Sequence, residues 1–297
     1  NLPRTGVVVT CGSQEAMTDA FMCVVDQGDE VLLPNPSFPA YDACTRIAQG
    51  TPVYYRMPAD DDFAFHISNF KSQITEKTKA AVVISPSNPT GKIMRPEDLQ
   101  QIAAALDGTG IWLISDEIYS DLYFGERPHS ASEYYDKTII VSGLSKSLSM
   151  TGWRLGWAAS KDPQIMEAIQ VLHGFTTVCT STITQKASLL GWNDQAEEAK
   201  QHAREVYKKR GEFLVDLFDK ELGLRATSPE GAFYTMLDVR SLGDDLDIAE
   251  KCLQNRVVTV PGVAFGDEAK GFLRISFCNT EEKMAEGVAR MKAGLGI

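Results

Sequence analysis

Residues 80–119 read AAVVISPSNPTGKIMRPEDLQQIAAALDGTGIWLISDEIY. The apolar run Ala80-Ala81-Val82-Val83-Ile84 ends in Ser, Pro, Asn and Gly, a helix-like stretch from Pro96 to Leu106 follows, and a second apolar run, Ile111-Trp112-Leu113-Ile114, ends in Ser115-Asp116-Glu117. Hydrophobicity that is continuous rather than alternating predicts strands buried on both faces, which is what a parallel sheet covered by helices requires. Proline at Pro96 suits the first turn of a helix, where its missing N–H costs nothing. The same alternation extends outward, with runs at Val7-Val8-Val9-Thr10, Val31-Leu32-Leu33 and Thr138-Ile139-Ile140-Val141 and amphipathic stretches at 13–25 and 38–48. It predicts an α/β fold, a mostly parallel, doubly wound sheet with helices on both faces, over residues 1–190. Beyond that the pattern changes to a charged helical stretch at 194–222, short strand-like pieces at 232–237, 257–260 and 272–277, and a last helix from Glu281. Residues 191–297 are therefore expected to form a smaller α+β domain.

The composition limits the function. With 29 Lys and Arg against 40 Asp and Glu, the formal net charge of the 297 residues is −11. A nucleic-acid or anionic-membrane surface needs clustered positive charge, and the longest basic run is Lys208-Lys209-Arg210. A hydrophobic share of 43% and a charged share of 23% exclude disorder, collagen and coiled coil as whole-chain readings. The six cysteines form no CxxC pair, and His66, His129, His173 and His202 stand at no metal-ligand spacing, so free thiols in a reducing compartment and no metal are expected. No apolar run is long enough to span a membrane, and the first six residues do not read as a signal peptide. The expected location is the cytoplasm.

Ligands of open α/β sheets bind at the carboxyl ends of the strands. The residues following the apolar runs are Cys11-Gly12-Ser13-Gln14, Pro34-Asn35-Pro36-Ser37-Phe38, Ser85 to Gly91, Ser115 to Tyr119, and Ser142-Gly143-Leu144-Ser145-Lys146. Each has a plain explanation alone: Ser13 as an N-cap, Asn88-Pro89-Thr90-Gly91 as a turn, Asp116 as an ion-pair partner, Lys146 as a solvated lysine. Together they bring an acid, a phenol, an amide, an amine and an aromatic ring to one crevice. A serine hydrolase is a poorer reading, because no GxSxG elbow occurs and the S-x-x-K match, Ser68 to Lys71, falls in an amphipathic segment expected at the surface.

These residues resemble the class I pyridoxal-phosphate-dependent aminotransferases of the aspartate aminotransferase-like fold, fold type I. The matching motifs are VVVTCGSQEAM at 7–17, DEVLLPNPSFPAY at 29–41, SPSNPTG at 85–91, SDEIY at 115–119, SGLSKSLSMTGWRLGW at 142–157, SPEGAFY at 228–234, VPGVAFG at 260–266 and FLRISF at 272–277. The resemblance implies that Lys146 holds pyridoxal 5'-phosphate as a Schiff base and, once displaced by substrate, moves the proton at the substrate's α-carbon. Asp116 corresponds to the partner of the pyridine nitrogen, Tyr119 and Asn88 to donors toward the phenolic oxygen, and Phe38 to the ring stacked on the cofactor. Gly12, Ser13 and Gln14 at a helix start, with Arg154, correspond to the phosphate site, and Arg274 to the arginine that takes the substrate's α-carboxylate. Gly143 stands where many relatives place a phosphate-binding serine, and Ser145 is the alternative donor. Family members carry a longer segment before the VVVT strand, so the resemblance implies either a fragment or the loss of a piece that relatives use. The implied activity is amino-group exchange between an L-amino acid and a 2-oxo acid in a homodimer. A carbon-sulfur lyase and an effector domain of a transcription regulator are the alternatives that the same fold allows.

Overall fold

The continuous apolar runs become strands of one sheet. In the computed structural model, which describes residues 2–297, β1 (Val7–Thr10), β2 (Glu30–Asn35), β3 (Thr51–Arg56), β4 (Thr78–Ile84), β5 (Trp112–Asp116), β6 (Thr138–Gly143) and β7 (Gly156–Ala159) lie in the order β1-β7-β6-β5-β4-β2-β3. The pairs from β3 to β6 are parallel, and β7 is antiparallel to both of its neighbours, so every strand but β7 points the same way. The helices of this layer are α1 (Ser13–Val24), α2 (Ala40–Ile47), α3 (Ile67–Lys71), α4 (Pro96–Leu106), α5 (Pro163–Thr176) and α6 (Thr182–Ser188). As expected, α4 starts at Pro96, and the Asp98 carboxylate accepts the N–H of Arg95 just before it. Ser68 and Lys71 lie exposed on α3.

Alternate residues of the central strands serve opposite faces, as the pleat demands. Val31, Leu33, Val82 and Ile114 pack with Phe21 of α1, Tyr41 of α2 and Ile169 of α5. Leu32, Ala81, Val83 and Leu113 pack with Phe70 of α3 and Leu99 and Ile102 of α4. Each buried Val, Leu, Ile or Phe among them stabilises the fold by roughly 1.5–3 kcal/mol. One expectation fails at the sheet edge: β1 is not buried on both faces. Val7 is 40% exposed, and Val7, Val9, Ile140, Leu155 and Trp157 line an apolar cavity of about 910 Å³ with Leu189 and Trp192.

The remaining elements are α7 (Asp194–Leu222), β8 (Tyr234–Asp238), α8 (Asp245–Gln254), β9 (Val260–Pro261), β10 (Phe272–Ser276) and α9 (Glu281–Leu295). Asn193 caps the start of α7, and Gly223 ends it in the left-handed conformation. Strands β8, β10 and β9 form a small antiparallel sheet with β10 in the middle. Its core joins Leu214 and Phe218 of α7 to Leu237, Ile248, Leu273 and Met284.

Candidate active site

Because the strands share a direction, their carboxyl ends form one rim, and the antiparallel β7 begins at that rim. The register pairs Gly156 with both Thr10 and Gly143, so the turn after β1, the loop after β6 and the segment before β7 meet at one residue. Gly156 has to be glycine: a Cβ there would stand 2.3 Å from the backbone nitrogen of Ser13. Gly143 is fixed similarly, since its Cβ would lie 2.8 Å from the Leu155 carbonyl oxygen. The packing accounts for the departure from serine at that position, and Ser145 is buried next to Lys146.

Helix α1 is capped by Gly12 rather than by Ser13, with φ of 83° and no side-chain hydrogen bond to the first turn. The leading N–H groups of the helix thus have no side-chain acceptor, and the Arg154 guanidinium lies against Gly12, its Nη2 2.4 Å from where a Cβ would be. Uncapped N–H groups, the positive end of the helix dipole and an exposed arginine suit a phosphate dianion. Arg154 is held there by a left-handed backbone and by donating from Nη1 to the Thr151 carbonyl at 3.0 Å. Gln14 offers only its backbone N–H to this turn, because its side-chain amide lies 3.7 Å from Cys44 Sγ on α2.

Lys146 sits in the turn that follows β6, half-buried, and among the described residues forms no ion pair. Its Nζ lies 5.9 Å from the ring centre of Tyr119 and 5.7 Å from that of Phe233. Burial holds its amine below the ordinary lysine value; Arg274 and Arg154 push the same way, against Cys278 and Asp116. Asp116 ends β5 and is buried, accepting from the Tyr41 hydroxyl at 2.7 Å and from the Ile118 N–H at 3.1 Å. Burial raises it to about 6 in spite of those donors and of the Lys146 charge. Phe38 meets edge-on, at 5.7 Å between ring centres, the Tyr41 ring whose hydroxyl bonds the same acid.

Tyr119 is buried and donates to the Tyr234 hydroxyl at 3.2 Å. Burial, with Tyr234 and Asp116, pushes its phenol well above the ordinary tyrosine value, so it stays a proton donor. Arg274 on β10 donates from Nη1 to Asn88 Oδ1 at 2.8 Å, and its guanidinium lies 4.4 Å from the Tyr234 ring centre and 4.7 Å from that of Phe265. Among the described residues no carboxylate pairs with it. Tyr41, Phe233, Tyr234 and Cys278 received no role from the sequence. Tyr41 and the Phe233-Tyr234 pair do lie in the quoted PSFPAY and SPEGAFY segments, whereas nothing in the sequence marks Cys278.

Three comparisons with known proteins place the chain in a family. The family model for aminotransferase class I and II matches residues 2–291. An aspartate aminotransferase of Thermotoga maritima is 33% identical over 290 residues, covering 96% of this chain and 74% of that protein. Among solved structures, the aspartate aminotransferase from Thermus thermophilus with maleate superposes with a TM-score of 0.94 at 32% identity, over 98% of this chain and 76% of the other. The aromatic aminotransferase from Pyrococcus horikoshii gives 0.95 at 31% identity, over 99% and 80%. On this fold and at this similarity, the chain belongs to the class I and II aminotransferases, enzymes that use pyridoxal phosphate to exchange an amino group between an amino acid and a 2-oxo acid.

Proposed function

We propose that Lys146, Asp116, Tyr119, Asn88, Arg154 and Arg274 are the working residues of that reaction, with Gly12, Ser13, Gln14, Phe38 and Ser145 completing the cofactor cradle. The observation that carries the substrate half is Arg274: a half-buried guanidinium between two aromatic rings, with a neutral amide as its hydrogen-bond partner. Such a fork is matched by a carboxylate, which it takes in a bidentate way. The residues fit the cofactor, since the uncapped start of α1 with Arg154 accepts a phosphate and the buried Asp116 faces the Lys146 charge.

When bound, pyridoxal phosphate supplies an aldehyde that condenses with amines and a ring that draws electrons from the substrate's α-carbon. Lys146 would supply the amine that anchors it, and burial, by holding that amine below the ordinary lysine value, favours the neutral form that can act as a base. Asp116, positioned by Tyr41 and the Ile118 N–H, would hold the ring nitrogen with its carboxylate. Tyr119 keeps its proton and donates. Asn88 holds Arg274 in the orientation that receives the carboxylate.

The chain is proposed to divide near residue 190 into a cofactor domain, 1–190, and a small domain, 191–297, which the two sheets support, while Tyr207 and Phe233 pack against both cores and join them. A cytoplasmic location is in keeping with the six free cysteines and with the absence of a helix long and apolar enough to cross a membrane among the described residues. The decisive experiment adds an L-amino acid and a 2-oxo acid to the cofactor-loaded protein and measures the new oxo acid. Lys146→Ala is expected to lose the borohydride-fixed cofactor and at least about 10³-fold in rate. Cofactor still fixed to that variant would overturn the assignment, and ammonia with pyruvate in place of a new amino acid would indicate elimination instead.

A further inference from the structure

Helices α1 and α5 meet across a group of charged side chains that the aminotransferase chemistry does not use. Glu15 and Asp19 stand one turn apart on α1, His173 comes from α5, and one ligand atom from each lies within 4.8 Å of the other two. His173 Nδ1 is 2.9 Å from Glu15 Oε1, and the other Glu15 oxygen accepts the Cys11 N–H. Asp19 differs from both. It is 2% exposed, and its Oδ2 is closed to solvent without a hydrogen-bond partner. A buried carboxylate oxygen with no donor is costly, and its nearest acidic neighbour adds repulsion.

We infer that Glu15, Asp19 and His173 form a binding site for a divalent cation of the zinc, cobalt or manganese type. Two carboxylates and a neutral imidazole balance a double positive charge, and mixed oxygen and nitrogen ligands favour these ions over magnesium and calcium, which prefer oxygen alone. Metal bonds of about 2.0–2.2 Å leave adjacent ligand atoms roughly 3 Å apart, the present separation of Nδ1 and Oε1, and the Asp19 ligand atom already lies within 4.8 Å of the atoms from the other two residues. The ion would tie α1 to α5 one turn below the Gly12 turn. The sequence hides this set because 158 positions separate Glu15 from His173.

The test titrates the EDTA-treated full chain with Co²⁺, reading the visible ligand-field bands, with Zn²⁺ as competitor and thermal unfolding in parallel. One ion per chain, no thiolate charge-transfer band, displacement by Zn²⁺ and a raised unfolding temperature are expected. Asp19→Asn and His173→Ala should each weaken binding by more than about 100-fold. Asp19→Asn removes an unpaired buried charge, so in EDTA it should unfold no earlier than the parent, which separates loss of the ion from loss of the fold. Absence of saturable binding, or binding and stabilisation unchanged in Asp19→Asn, would overturn the site.

Discussion

Asp116 occupies a place that opposes its own charge. Its carboxyl sits at about 6 in the folded chain against an ordinary 3.8, so between those values the folded state holds a proton that the unfolded chain has released. Stability without cofactor therefore falls as pH rises through that window and stays reduced above it. At about 1.4 kcal/mol per pH unit the ionised group costs about 3 kcal/mol. Asp116→Asn keeps an acceptor for the Ile118 N–H and discards the charge. In the cofactor-free protein at pH 7 it should raise the midpoint of thermal unfolding and flatten the pH dependence between 4 and 6, while transamination falls by at least about 10²-fold. A lower midpoint would show that the Tyr41 contact matters more than the buried charge. Lys146 shows the opposite displacement for the same reason, since burial also disfavours an ammonium. The rate should accordingly rise with pH and reach its plateau below the ordinary lysine value of about 10.4, a profile checked by kcat/KM against pH.

At the scale of elements, the site depends on how closely α1 approaches β7. Gly12→Ala would force a Cβ into Arg154 at a backbone angle that side chains rarely adopt, with strain of about 1–3 kcal/mol. Cofactor affinity measured by equilibrium dialysis should drop roughly 10- to 100-fold, by the conversion of 1.4 kcal/mol per factor of ten. Gly152→Ala is the control, because a Cβ there meets nothing within 4 Å; equal losses in both variants would refute the argument. The helices at 13–24, 40–47 and 96–106, the strand that ends in Asp116 and the strand that leads to Lys146 were legible because double burial leaves unbroken apolar runs and because Pro96 punctuates a helix start. Strand β7 was not, being four residues that open with glycine and take their direction from both neighbours. Strand β3 was missed because it is an edge, mostly half-exposed, with a proline second in its sequence. Tyr234 and Arg274 come together only when β8 pairs with β10, a contact between segments that no local spacing records.

For the whole molecule, net charge says little about the site, where Lys146, Arg154 and Arg274 gather in a chain of net charge −11. The distribution of apolar surface says more. Phe175, Val178, Ile183, Leu189, Leu190 and Trp192 lie within eighteen residues around α6, all between 60% and 88% exposed, and Leu189 and Trp192 continue into the cavity beside β1. Scattered exposed apolar residues need no explanation, whereas a contiguous group marks an interaction surface. We propose that this surface meets a second copy of the chain, in keeping with the homodimer implied by the family resemblance. Light scattering should give twice the chain mass. Ile183→Glu with Leu190→Glu places two charges where 79% and 68% of each side chain already faces solvent in the single chain, so the monomer fold should tolerate them. Juxtaposing like charges at a closed interface should instead shift the protein to monomers, with circular dichroism unchanged. A double variant that keeps the parent's mass would place the subunit contact on another face.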